Sequence, residues 1–121
     1  MEEAAGPLAD LTLADFSEQL SSAAPVPGGG SAAAIAGSFA ASLLIMVARL
    51  STGRPKYESY RATHGRALAA GERGRKRLLE LADEDARAYG RFAEALKLPK
   101  ETEDQQQQRS AATRAAAREA A

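Results

Sequence analysis

Apolar positions recur at helical spacing along most of the chain, and the interruptions divide it into a few long segments. Leu13, Phe16 and Leu20 mark the apolar face of a first short helix. Thr12 stands where its hydroxyl caps that helix, and Asp15, three residues on, favours the positive end of the helix dipole. Pro25, Val26, Pro27 and the triplet Gly28, Gly29, Gly30 then halt helical structure, because proline lacks a donor and glycine admits positive φ. Ser31 reads as an N-cap opening a long apolar helix over residues 32–50. Within it Ala33, Gly37 and Ala41, and beside them Ala34, Ser38 and Ser42, recur every four residues, forming rows over which another helix backbone approaches closely.

Thr52, Gly53, Arg54 and Pro55 break the chain again, and a helical pattern resumes over residues 56–96, closed by Pro99. Leu78, Ala82, Asp85, Tyr89, Phe92 and Leu96 follow a 4-3-4-3-4 spacing, one continuous stripe with a carboxylate inside it. Gly65, Gly71, Gly74 and Gly90 interrupt the segment and suggest close packing or a kink. Thr102 with Gln105 forms a capping box for a last helix whose apolar face is alanine alone. The pattern predicts an all-α protein, a helical bundle around a long buried Ala-rich helix. Residues 1–10 form a flexible lead-in, and 11–121 a single domain.

Composition supports this reading. Ala fills 29 of 121 positions, aromatic residues are few and β-branched residues scarce, which favours helix over strand. There is no cysteine, so a disulfide scaffold, a cysteine-zinc site and a cysteine nucleophile are excluded. No His or carboxylate cluster has ligand spacing, so no metal is expected. The acidic N-terminus lacks the bases of a secretory signal, and a cytoplasmic location is expected. Residues 32–48 carry no charge, yet they are short for a bilayer span and rich in weakly inserting Ala, Ser and Gly, so they read as a buried helix of a bundle without a membrane partner. The sixteen bases balance the sixteen acids, but unevenly: residues 1–48 hold five acids and no base, whereas 49–91 hold eleven bases and six acids. Without interleaved aromatics or a recognisable module, this basic middle does not point to nucleic acid.

Candidate chemistry lies at three places. The turn Gly28, Gly29, Gly30, Ser31 exposes backbone N–H groups at a helix start, a geometry that accepts a carboxylate, a phosphate or a developing negative charge; a tight turn needed for packing alone explains the same residues. Asp85 occupies a stripe position where leucine is expected, so it is either a buried carboxylate satisfied by a partner or a functional one, while Asp83 and Glu84 are expected to face solvent. His64 continues the line of Tyr57 and Tyr60 and serves either as an acid–base group or in packing. Lys97, Lys100 and Arg109 flank Pro99 and offer either an anion grip or an ordinary charged surface.

The ordered motifs PVPGGGSAAAIAGSFAASLLIMVARLSTG (25–53), Tyr57, DEDARAY (83–89) and LPKETEDQQQQR (98–109) resemble the cyclodeaminase/cyclohydrolase family, over nearly the whole chain from Leu11. The resemblance implies an all-helical, homodimeric domain acting on tetrahydrofolate one-carbon derivatives, with folate as substrate and no metal. Cyclodeamination converts 5-formiminotetrahydrofolate to 5,10-methenyltetrahydrofolate and ammonia. Cyclohydrolase relatives interconvert the methenyl and 10-formyl forms. A non-catalytic helical dimer of the same family is the remaining alternative. The implied roles are Gly28, Gly29, Gly30 and Ser31 as folate-binding loop, Asp85 as acid–base or orienting carboxylate, and Lys100 as grip on the glutamate tail. Family domains continue with further helices past the position matching Ala121, so Leu43, Ile45 or Val47 are expected to be exposed and to seek an interface.

Overall fold

A computed structural model of the chain describes residues 6–120. Its elements are a 3-10 turn Leu8–Asp10, α1 (Leu13–Leu20), α2 (Gly29–Ser51), a 3-10 segment Pro55–Tyr60, α3 (Arg61–Leu96) and α4 (Glu103–Ala120). No strand occurs among the described residues, as the pattern predicts. α2 and α3 form an antiparallel pair and α4 folds back along α3, so α3 is the central element.

Local signals start the helices where expected. The Thr12 hydroxyl accepts the Asp15 amide at 3.0 Å. At α4 the capping box is complete: Thr102 Oγ1 accepts the Gln105 amide, and Gln105 Oε1 accepts the Thr102 amide, both at 3.1 Å. These two reciprocal bonds satisfy donors that a helix start otherwise leaves to water. The lead-in is ordered in part: the Leu8 amide donates to Asp83 Oδ1 at 2.8 Å, tying the 3-10 turn to α3 across 75 residues. Residues 1–5 of the expected lead-in lie outside the described residues.

The core is built from small groups. Ser31, Ser38, Ile45 and Ala48 of α2 and Gly71, Ala82, Ala88 and Ala95 of α3 are buried, and Ala116 is the buried residue of α4. With so little side chain between them, the α2 and α3 backbones approach closely. A Cβ built on Gly71 would stand 2.7 Å from Ile45 Cγ1, and one on Gly37 would stand 3.2 Å from Leu78 Cδ1. The row of small residues on α2 therefore serves helix pairing, and Gly71 reflects close packing rather than a break, since α3 runs unbroken for 36 residues.

Two expectations are corrected. α2 is not a buried helix: 22% of its most apolar 18-residue stretch is buried, and among the described residues it is the one helix long and apolar enough to cross a bilayer. α3 covers only its inner face, leaving Phe39, Leu43, Met46, Val47 and Leu50 each about half exposed. Ile45, expected on the open face with Leu43 and Val47, is instead 3% exposed, because the helical turn carries it round to Gly71.

Glycine substitutions distinguish packing from propensity. Gly71→Ala forces a methyl against Ile45 and is expected to destabilise the fold by about 1–3 kcal/mol. Gly65→Ala meets nothing within 4 Å and is expected to stabilise by about 0.5–1 kcal/mol. Urea unfolding of both variants, followed by circular dichroism, checks the opposite signs.

Candidate functional site

α2 begins one turn earlier than its sequence suggests. Gly28 is the N-cap residue, and Gly29 and Gly30 are already helical. Ser31 is therefore not the cap. It lies in the first turn, fully buried, and its hydroxyl donates to the Ala82 carbonyl of α3 at 2.7 Å. The reason is packing: a hydroxyl facing the neighbouring helix has no water to turn to and takes a backbone acceptor there. No side chain caps α2, so the Gly29 and Gly30 amides stand at the positive end of a 23-residue helix without a side-chain acceptor.

Ser31 fixes the opposite face of that contact. Ala82 lies one turn before Asp85 on α3, so the bond to Ala82 sets the glycine turn against Asp85. A Cβ on Gly30 would overlap Cγ and both carboxylate oxygens of Asp85. In its present rotamer the Asp85 carboxylate fills the space that a side chain at position 30 would take. The two features that the sequence singled out separately thus form one site.

The site opens into a cleft of about 370 Å³ lined by Gly30, Ala34, Glu84, Asp85, Ala88 and Glu119, among others. Three carboxylates border it, in different states. Glu84 is paired with Arg77 at 2.8 Å, and this hydrogen bond holds its carboxyl below the usual carboxylate range. Glu119 is bonded to Arg91. Asp85 is half-buried and, among the described residues, receives no hydrogen bond or ion pair. It is the carboxylate of the cleft left free to act on a bound molecule.

The other candidates fall elsewhere. Lys100 is not brought to the cleft: α3 rises about 16 Å from Asp85 to Leu96 before the loop that carries Lys100. Lys97 pairs with Glu94 at 3.2 Å, and Arg109 donates to the Leu96 carbonyl at 3.1 Å, so both serve the end of α3. Asp83, expected in solvent, is half-buried because it holds the Leu8 amide. His64 packs edge-on against Tyr57 and tilted against Tyr60, each with ring centroids 6.5 Å apart, away from the cleft-lining residues. Sequence reading missed Glu119, Arg91 and Arg77. The Arg77–Glu80 spacing of three residues signals a local pair, but no signal joins Arg91 to Glu119, which meet only because α4 folds back.

The family profile described as formiminotransferase-cyclodeaminase matches residues 12–121. The chain belongs to this family. It is 37% identical over 100 residues to a methenyltetrahydrofolate cyclohydrolase of Methylorubrum extorquens, covering 83% of this chain and 48% of that protein. It is 33% identical over 113 residues to the formimidoyltransferase-cyclodeaminase of Mus musculus, covering 93% of this chain and 21% of that one. The crystal structure of a formiminotetrahydrofolate cyclodeaminase from Thermotoga maritima superposes with a TM-score of 0.69 at 27% identity, covering 89% of this chain and 53% of the other. The chain thus spans about half the length of the cyclohydrolase relative.

The Arg77 contact gives a checkable titration. Because the folded Glu84 carboxyl is held low, the contact's contribution is present above the ordinary carboxylate pKa and is lost as pH falls through the lowered value. Arg77→Gln is expected to move the Glu84 titration midpoint upward, as read by carboxyl-carbon NMR from pH 2 to 7.

Proposed function

We propose that this chain acts on a tetrahydrofolate one-carbon derivative at the Gly30–Asp85 cleft, as a formiminotetrahydrofolate cyclodeaminase. The observation that carries the reading is the contact between an uncapped helix start and an unpaired carboxylate that lies against Gly30. Backbone amides there donate to acceptor atoms of a bound ligand, while the carboxylate moves a proton. In the protonated formimino group, the one-carbon atom is an amidinium carbon. The substrate's second nitrogen, N10, attacks it, forming the new C–N bond. Asp85 takes the proton released from N10 and passes it to the amine, which leaves as ammonia. A cationic methenyl bridge remains, and the unpaired Asp85 carboxylate suits that charge.

A second reading is supported by the identity to the cyclohydrolase, higher than that to the murine enzyme. In it the same carboxylate removes a proton from water as water adds to the methenyl carbon; the bond from that carbon to N5 then breaks, the remaining hydroxyl proton passes to N5, and the 10-formyl form is left.

The test is methenyl absorbance after mixing the chain with 5-formiminotetrahydrofolate, together with ammonia release. Turnover above the uncatalysed rate is expected, and Asp85→Asn is expected to lower it by about 10²–10⁴-fold. An Asp85→Asn variant that matches the parent chain removes Asp85 from the reaction. Accelerated loss of added methenyl compound without cyclodeamination selects the cyclohydrolase.

We further propose that the open face of α2 pairs with a second copy of the chain. Phe39, Leu43, Met46 and Leu50 repeat at 4-3-4 spacing, and residues 32–48 carry no charge, so a copy is met without like-charge repulsion. Light scattering at micromolar concentration is expected to give a dimer for the parent chain and a monomer for Leu43→Glu.

A further inference from the structure

A second crevice, of about 250 Å³, lies between α1, α2 and α3, some two turns along α2 from the glycine start. Its walls include Leu11 and Phe16 of the N-terminal part, Ile35 of α2 and Leu79 of α3. The volume falls below the range of about 300–1,000 Å³ that holds drug-sized molecules, so it suits a small ligand. Four polar side chains line it; the Thr12 hydroxyl already accepts the Asp15 amide and the Ser42 hydroxyl already donates to the Ser38 carbonyl, which leaves Ser38 and Arg75. Ser38 is 2% exposed, and among the described residues its hydroxyl has no hydrogen-bond partner. The Ser38 residue lines the crevice wall, where its hydroxyl is open to a ligand atom. Arg75 stands at the rim with its side chain 35% exposed. One of its nitrogens is bonded to Glu72 at 3.1 Å, and Glu72 also meets Arg49 at 3.1 Å, so this trio keeps one net positive charge.

Both groups donate: the guanidinium offers only N–H, and the hydroxyl offers an O–H. A ligand that satisfies them must therefore present acceptors, and one that fills the walls must be apolar. We propose that this crevice is a binding site for a small organic carboxylate with an aliphatic or aromatic body, its carboxylate between Arg75 and Ser38 and its body among Phe16, Ile35 and Leu79. The site uses none of the residues of the Asp85 cleft and does not rest on the folate reading.

The probe is sodium octanoate, titrated into the full 121-residue chain and followed by amide chemical shifts in ¹H–¹⁵N spectra. Saturable shifts are expected at Ile35, Ser38 and Leu79, with a dissociation constant of about 1 mM, as befits some ten heavy atoms. Arg75→Gln is expected to weaken octanoate about ten-fold while leaving the weaker binding of neutral 1-octanol unchanged. Ser38→Ala tests the hydroxyl in the same way. Arg75 is a surface ion-pair residue, so its loss leaves the fold intact. Shifts confined to the open face at Leu43, Met46 and Leu50 overturn the proposal. So does octanoate binding that Arg75→Gln leaves unchanged.

Discussion

The close approach of α2 to α3 is the constraint from which the rest of the structure follows. Two helices meet through serine, alanine and glycine, and the spacing is fixed by contacts with no slack: Ser31 on the Ala82 carbonyl, Gly37 under Leu78, and Ile45 over Gly71. Small residues gain little from apolar burial individually, so such an interface depends on backbone proximity, summed dispersion contacts and a buried hydrogen bond. The same closeness makes the site. If the helices stood one methyl further apart, Gly30 would no longer meet the Asp85 carboxylate, and the amides at the start of α2 would face open space.

That arrangement divides α2 sharply into two faces. Its inner face is exhausted by α3, whereas the outer one keeps large apolar side chains about half exposed. A helix apolar all round is normally enclosed on all sides. Here α4 packs on α3 instead, held by Arg91 with Glu119 and by Arg109 on the Leu96 carbonyl. The chain matches about half the length of the cyclohydrolase relative and of the Thermotoga maritima structure. The open face and the Asp85 cleft are separate features of one helix, at different ends and on different sides of it.

Charge placement supports this division. The acids and bases of α3 neutralise one another along its exposed side, with Arg77 serving both Glu80 and Glu84, and Arg75 serving Glu72. Exposed pairs of this kind add little stability. Their effect at the cleft is selective: they occupy Glu84 and Glu119 and leave Asp85 without a cation. Of the eleven bases in the basic middle of the chain, five (Arg49, Arg61, Arg75, Arg77 and Arg91) are engaged in ion pairs among the described residues.

The sequence by itself determined the helices, their starts at Thr12 and Thr102, the break at Pro25 and Pro27, and Asp85 as an anomaly on an apolar stripe. Each of these depends on neighbours within about four residues, which is the range of helical hydrogen bonds and of capping side chains. The resemblance carried by the ordered motifs added the family. Only the tertiary structure decided that Ser31 is a bond between helices and not a cap, that Gly30 lies against the Asp85 carboxylate, that Asp83 holds the N-terminal turn, and that Lys100 stands apart from the cleft. Those facts depend on groups between 51 and 75 residues apart in the chain, or on the length of α3. Local spacing tells which face of a helix a residue occupies. What stands opposite that face is set by how the helices pair.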